Sequence, residues 1–233
     1  MLTDREPRRS APAARSSAEL IDAARALRPR IEAFGPEIES GGELPRALVD
    51  QLHAEGLFRM LLPRSLGGHE VQPITFVQVL EEIARADAST AWCVCQASGC
   101  SMVSAYMEPA SAAAAFGDPR AVLAWGQPVG ARADATTDGY RVNGQWVFAS
   151  GSHHATLLGG ITAPIFESDG APRLLPSGAQ EARTILFPRD HARLIDVWEV
   201  SGLRGTGMSI NLRKWAEEEL RKSGYERLLR AGI

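Results

Sequence analysis

The sequence predicts an α+β, multidomain fold in which an all-α helical domain precedes a small β-barrel domain. The first 119 residues carry apolar residues at helical spacing, whereas short apolar runs separated by Asp-Gly and Asn-Gly turns follow Arg120. We expect a disordered tail over 1–15, the helical domain over 16–119, the barrel over 120–208 and an atypical amphipathic helical tail over 209–233.

The composition excludes several classes of protein. The chain has 233 residues and a net charge of −3, so it offers no large basic field for nucleic acid. It contains no apolar run of the ~18 residues that span a bilayer, and its N-terminus lacks the apolar core of a secretory signal. Cys93, Cys95 and Cys100 lie in one short stretch without histidines, which favours reduced thiols, no metal site and a cytoplasmic protein.

Helix signals follow one another through the first half. Ser16 and Glu19 have capping-box spacing before an apolar stripe, and we expect that first helix to end at Gly35-Pro36. Proline or a small-residue run marks the later helices. They are expected from Leu44 to Gly56, from Pro73 with Phe76, Val77, Leu80, Ile83 and Ala84 inward, from Asp87 to Met102, and from Pro109 to Phe116.

Short strands are predicted in the second half. The first ends at Gly126, and the turns Asp138-Gly139 and Asn143-Gly144 bracket the next. The predicted strands cover 121–125, 140–142, 145–149, 156–161, 184–187 and 194–200. A charged amphipathic helix is expected from Asn211 to Lys222.

Four motifs, in order, resemble the acyl-CoA dehydrogenase superfamily, near its branch of two-component flavin-dependent hydroxylases. They are LPRSLGG at 62–68, LEEIARADASTAW at 80–92, GYRVNGQWVFASG at 139–151 and VWEVSGLRGTG at 197–207. The resemblance implies FAD, or alternatively FMN, held between the helical domain and the barrel. It also implies homotetrameric full-length relatives with a C-terminal four-helix bundle that carries the catalytic base. We expect this bundle to be missing here, because the chain departs from the family pattern near Met208.

The resemblance also assigns cofactor contacts. It places the Ser150 hydroxyl at flavin N5 or O4, and a hydroxyl can both donate and accept a hydrogen bond. It places Phe148 against the isoalloxazine ring, and Trp125 and Gln127 in a loop whose backbone contacts the ring. Ordinary barrel packing remains the alternative for Trp125 and Gln127.

Substrate contacts are predicted at Trp92, Cys100 and Arg204. Trp92, Gln96 and Cys100 share one helix face at spacings of four residues. Arg204 could bind an anionic ligand together with the amides of the following Gly-Thr-Gly, or that run could be a simple turn between strands. We expect one of the adjacent histidines, His153 or His154, to line the substrate cavity as a proton donor. The alternative is that these histidines are simply exposed to solvent at a strand end. No catalytic residue is assigned.

Three functions remain open at this point. The first is a flavin oxidoreductase that oxidises a CH–CH group of an acyl-type substrate and passes electrons to a carrier. The second is a reduced-flavin-dependent monooxygenase that acts on an aromatic substrate and is supplied by a flavin reductase. The third is a non-catalytic remnant. The LRGTG run favours the monooxygenase, and the lack of a histidine near Cys100 disfavours it. We expect this chain alone to bind flavin poorly and not to turn over an acyl-CoA.

Overall fold

Helices precede strands in the computed structural model, as the sequence predicts. The structure describes residues 14–137, 139–195, 198–207 and 209–212. Within these ranges there are five α-helices and six β-strands. The helices are α1 Ser17–Gly41, α2 Arg46–Ala54, α3 Pro73–Ala84, α4 Ala88–Ser101 and α5 Pro109–Phe116.

Helix α1 is longer than expected. Its capping box forms as predicted, with Ser16 accepting from the Glu19 amide. The predicted end at Gly35-Pro36 is wrong, because the helix continues through that proline to Gly41. The buried stripe extends to Ile38, and packing of that stripe outweighs the hydrogen bond that a proline removes. Gly42, with a φ of 69°, ends the helix.

Helices α3 and α4 pack against each other and carry local start signals. Pro73 opens α3, and Asp87 caps α4 by accepting from the Thr90 amide at 2.6 Å. The prediction that Val77 and Ala84 face inward is wrong: both are exposed, Val77 by 56%, while Val79 is fully buried. Most faces of α4 are buried and carry small side chains. The helix therefore lies close to both the neighbouring helices and the sheet.

The strands form one mixed six-stranded sheet of order β4-β3-β1-β2-β6-β5. Strands β1 and β3 are parallel, and the other neighbours are antiparallel. The strands are β1 Leu123–Thr136, β2 Gly139–Val147, β3 Leu157–Phe166, β4 Ala182–Pro188, β5 Arg193–Leu194 and β6 Ser209–Leu212.

Four predictions for the second half need correction. Strand β2 runs without a break from Gly139 to Val147, so Asn143-Gly144 is not a turn and the two strands predicted beside it form one. Strand β1 does not end at Gly126, because pairing with β2 continues from Gln127 to Thr136. Strand β5 is only two residues long, not the predicted strand over 194–200. Asn211 and Leu212 do not begin a helix: they belong to β6, whose backbone pairs with β2. Residues 213–222 of the predicted helix lie outside the described residues.

Trp146 fixes the packing of the sheet beside the site. Its side chain is fully buried, and its indole N–H donates to the Ile161 carbonyl at 3.3 Å. The ring lies over Gly160, where an added Cβ would come within 2.3 Å of it. The position of β2, and therefore of the residues that follow it, depends on this contact. Among the described helices, none is long and apolar enough to cross a membrane.

Candidate functional site

A cavity of about 310 Å³ lies between α4, the first half of β1, the end of β2 and the segment 198–206. Four aromatic side chains line it, together with hydroxyl and amide groups. Of the lining residues that the structure describes, none is charged. The aromatic residues are Trp92, Trp125, Phe148 and Trp198, and the polar ones are Gln96, Gln127, Ser150 and Thr206.

In the wall of the cavity, a hydrogen bond joins helix α4 to the segment that follows β2. The Trp92 indole Nε1–H donates to Ser150 Oγ at 2.9 Å. Trp92 and Gln96 project from the same face of α4, one turn apart, so both reach the cavity. Ser150 is buried, whereas Trp92 remains 42% exposed.

Phe148 lines the cavity, and its backbone has an unusual conformation. Its φ is 60°, in the left-handed region that costs an ordinary residue about 1–2 kcal/mol. The side chain is 60% exposed and meets Trp198 edge-on, with ring centroids 6.1 Å apart. Leu203, which also lines the cavity, has a φ of 57° and accepts a hydrogen bond from the Trp198 indole at 3.0 Å. Strain at these positions is typical of functional sites.

The turn after Ser150 is anchored to the segment 204–206. The Gly151 amide donates to the Thr206 carbonyl at 2.8 Å. The φ of Gly151 is 81°, and a Cβ there would come within 3.0 Å of His154 Nε2. Ser150 is therefore held by backbone contacts on one side and by Trp92 on the other.

Neither histidine of the pair lines the cavity, so the prediction of a cavity-lining proton donor is wrong. His153 Nδ1 lies 2.9 Å from Glu43 Oε2. His154 is half-buried and packs on Phe58 with ring centroids 5.4 Å apart, and its buried Nε2 has no hydrogen-bond partner among the described residues. Burial lowers the pKa of His154 to about 3 and that of His53 to about 4, so both imidazoles are neutral.

The structure places Cys100 and Arg204 outside the cavity lining. Cys100 is buried in a cluster with Leu62, against which Trp125 packs, and burial raises the pKa of its thiol to about 12. The Arg204 guanidinium donates to the Glu39 carbonyl at 3.1 Å. The Gly205 amide donates to Ser89 Oγ at 3.2 Å, which favours the simple turn for this run.

Sequence reasoning missed several lining residues. Ile161, Trp198 and Leu203 line the cavity, although none was proposed as a site residue. Leu203 lies in the LRGTG run, which was a usable signal, while Ile161 is brought there only by strand pairing. In the described ranges no three His, Cys, Asp or Glu side chains lie close enough to hold a metal ion.

The fold and the cavity together define a protein of the acyl-CoA dehydrogenase fold. Residues 17–113 match the family model of the acyl-CoA dehydrogenase N-terminal domain. The structure of XiaF from Streptomyces sp. in complex with FADH2 and glycerol superposes with a TM-score of 0.78 at 26% identity, over 85% of this chain and 48% of that one. The resemblance drawn from the sequence motifs is confirmed.

Within this fold, the relatives found are flavin-dependent monooxygenases. The chain is 32% identical over 195 residues to the oxygenase subunit HsaA of a flavin-dependent monooxygenase from Rhodococcus jostii, covering 78% of this chain and 46% of that protein. It is 31% identical over 172 residues to indole-3-acetate monooxygenase from Pseudomonas putida, covering 73% and 42%. The chain spans about half the length of these relatives. They favour the monooxygenase alternative over the acyl-CoA dehydrogenase that was expected first.

The lining of the cavity suits the flat ring system of a flavin. Aromatic walls favour stacking with a planar group, and the hydroxyl and amide groups can bond its heteroatoms. Phe148, held in its strained conformation, presents a largely exposed ring for that contact.

Proposed function

We propose that this chain forms the helical and β walls of the flavin site in a reduced-flavin-dependent monooxygenase. The observation that carries the proposal is the buried Ser150 at the end of β2, bonded to Trp92 in an aromatic, uncharged cavity. The monooxygenase relatives support this reaction over acyl-CoA dehydrogenation.

FAD is the proposed cofactor, with FMN as the alternative. A reduced flavin supplies the electrons that activate molecular oxygen. In this proposal Phe148 stacks on the ring, Ser150 bonds its N5 or O4, and the Gln127 and Trp125 region contacts it through the backbone. The XiaF structure, which contains FADH2 and shares 26% identity with this chain, supports FAD.

The proposed substrate is aromatic, and the proposed partner is a separate flavin reductase. A cavity lined by aromatic side chains and neutral polar groups favours a flat, uncharged group beside the ring. The relative named for indole-3-acetate supports an aromatic substrate, and the name "oxygenase subunit" supports a second component that delivers reduced flavin.

The test compares the two reactions on one preparation of the full chain. In the first arm, a flavin reductase with NADH supplies reduced FAD or FMN in air, with indole-3-acetate and simple phenols as probes. We expect hydroxylated product, detected by mass spectrometry with oxygen-18 incorporation from O2. In the second arm, oxidised flavin and an acyl-CoA are mixed anaerobically, and we expect no loss of visible flavin absorbance.

The Ser150→Ala variant is the matched control, because it removes one hydroxyl from the site and leaves the aromatic wall. We expect it to give much less product than the native chain. Reduction of flavin by the acyl-CoA would contradict the proposal in favour of a dehydrogenase. Absence of product and of flavin binding in both arms would instead indicate the remnant.

A further inference from the structure

Trp92 and Ser150 are positioned by the same short segment. The Ser89 hydroxyl, in the first turn of α4, accepts from the Gly205 amide, and Cys93 Sγ lies 3.9 Å from the Gly205 carbonyl. On the other side, the Thr206 carbonyl accepts from the Gly151 amide. The donor and the acceptor of the Trp92–Ser150 bond are therefore both fixed relative to residues 204–206, which pre-organises their geometry.

The direction of this hydrogen bond follows from the chemistry of indole. An indole N–H can only donate and keeps its proton at all ordinary pH values. Ser150 Oγ is therefore the acceptor at 2.9 Å. A hydroxyl that accepts a hydrogen bond becomes a better donor, and it becomes a poorer acceptor for a second partner.

We propose that Trp92 is a positioning residue that acts through Ser150 and tunes the preference of the site for oxidised over reduced flavin. The inference rests on the proposed function, in which Ser150 bonds flavin N5. In oxidised flavin N5 is a bare acceptor, whereas in reduced flavin it carries a proton and donates. The bond from Trp92 strengthens donation by Ser150 and weakens its acceptance, so it favours the oxidised form. It thereby lowers the midpoint potential of the bound flavin and makes the reduced form a stronger reductant.

The test is the midpoint potential of bound flavin in the full chain and in three variants. Trp92→Phe keeps an aromatic ring in the cavity wall but removes the indole donor. We expect it to weaken binding of oxidised flavin about twofold more than binding of reduced flavin, because the lost bond acts only by polarising the Ser150 hydroxyl. A twofold difference corresponds to a rise in midpoint potential of about 9 mV for a two-electron couple.

Ser150→Ala and the double variant show whether the effect passes through Ser150. We expect Trp92→Phe to leave the midpoint potential unchanged when Ser150 is already alanine. A similar shift in both backgrounds would overturn the proposal, because it would reflect only the altered cavity wall. No shift, or a fall in potential, in the native background would also overturn it.

Failure of the proposed function gives a different result. If the native chain binds neither oxidised nor reduced flavin, no midpoint potential of a complex can be measured, and both proposals fail together. If the native chain binds flavin but the Trp92→Phe variant behaves identically, the flavin site stands and only the role of Trp92 is overturned.

Discussion

Phe148 combines a strained backbone with an exposed aromatic ring, and neither property favours the folded state. Its φ is 60°, and its side chain is 60% exposed. Glycine adopts a positive φ without strain, whereas alanine does not. We therefore expect the Phe148→Gly variant to be about 1 kcal/mol more stable than the Phe148→Ala variant, in which the backbone strain remains. Both variants lose the ring, and both should bind flavin equally weakly. Urea unfolding and flavin titration measure the two effects. A Phe148→Gly variant less stable than Phe148→Ala would contradict this account of the strain.

Arg59 is a buried cation that closes the loop between α2 and α3. Its side chain is only 4% exposed, and its guanidinium donates to four backbone carbonyls, those of Leu66, Gly67, Phe116 and Asp118. We expect Arg59→Met to lower the free energy of unfolding by about 3 kcal/mol, because those buried carbonyls lose their donor. The exposed Arg46→Met is the control and should change stability by less than about 0.5 kcal/mol. Comparable losses in the two variants would contradict the structural role of Arg59.

Among the elements, β2 and β3 are fixed by the contact of Trp146 with Gly160. A Cβ at Gly160 would come within 2.3 Å of the indole ring, and neither a β-strand nor a fully buried tryptophan can move freely. We expect Gly160→Ala to destabilise the protein by about 1–3 kcal/mol and to weaken flavin binding, since β2 carries the chain to Phe148 and Ser150. Thermal unfolding and flavin titration measure these effects.

Gly99→Ala is the matched control for that substitution. Gly99 lies inside α4 and is not followed by proline, and nothing lies within 4 Å of an added Cβ. We expect alanine there to stabilise the protein by about 0.5–1 kcal/mol. If both glycine substitutions stabilised the protein, the packing of Trp146 on Gly160 would be wrong.

Local signals also decided which elements could be predicted. The capping box and the proline at the start of α3 act within one turn of chain, and both formed where expected. The extension of α1 past Pro36, the length of β1 and the strand at Asn211 depend on partners distant in sequence, which no local pattern records. The same holds for the site: motifs led to Phe148 and Ser150, whereas Ile161 reaches the cavity through strand pairing.

For the whole molecule, acid stability depends on half-buried imidazoles that each have a ring nitrogen shielded from water, those of His53 and His154. In an unfolded chain histidine has a pKa of about 6.5, whereas the folded pKa of His154 is about 3. The unfolded state therefore binds more protons, so stability is fully present above about pH 6.5 and falls as the pH drops from there toward 3. We expect His154→Phe to lose less stability between pH 7 and pH 5 than the native chain, by about 2 kcal/mol. Urea midpoints at the two pH values measure this, and an equal loss in both proteins would show that His154 is not buried as a neutral group.

The central claim is that the cavity between α4 and the sheet binds flavin, and an anaerobic titration with reduced flavin tests it most directly. Trp92, Trp125 and Trp198 line the cavity, so tryptophan fluorescence reports its occupancy. We expect weak but saturable quenching that approaches one flavin per chain, at an affinity that Ser150→Ala weakens further. Quenching that does not saturate, or that is identical in the Ser150→Ala variant, would contradict it.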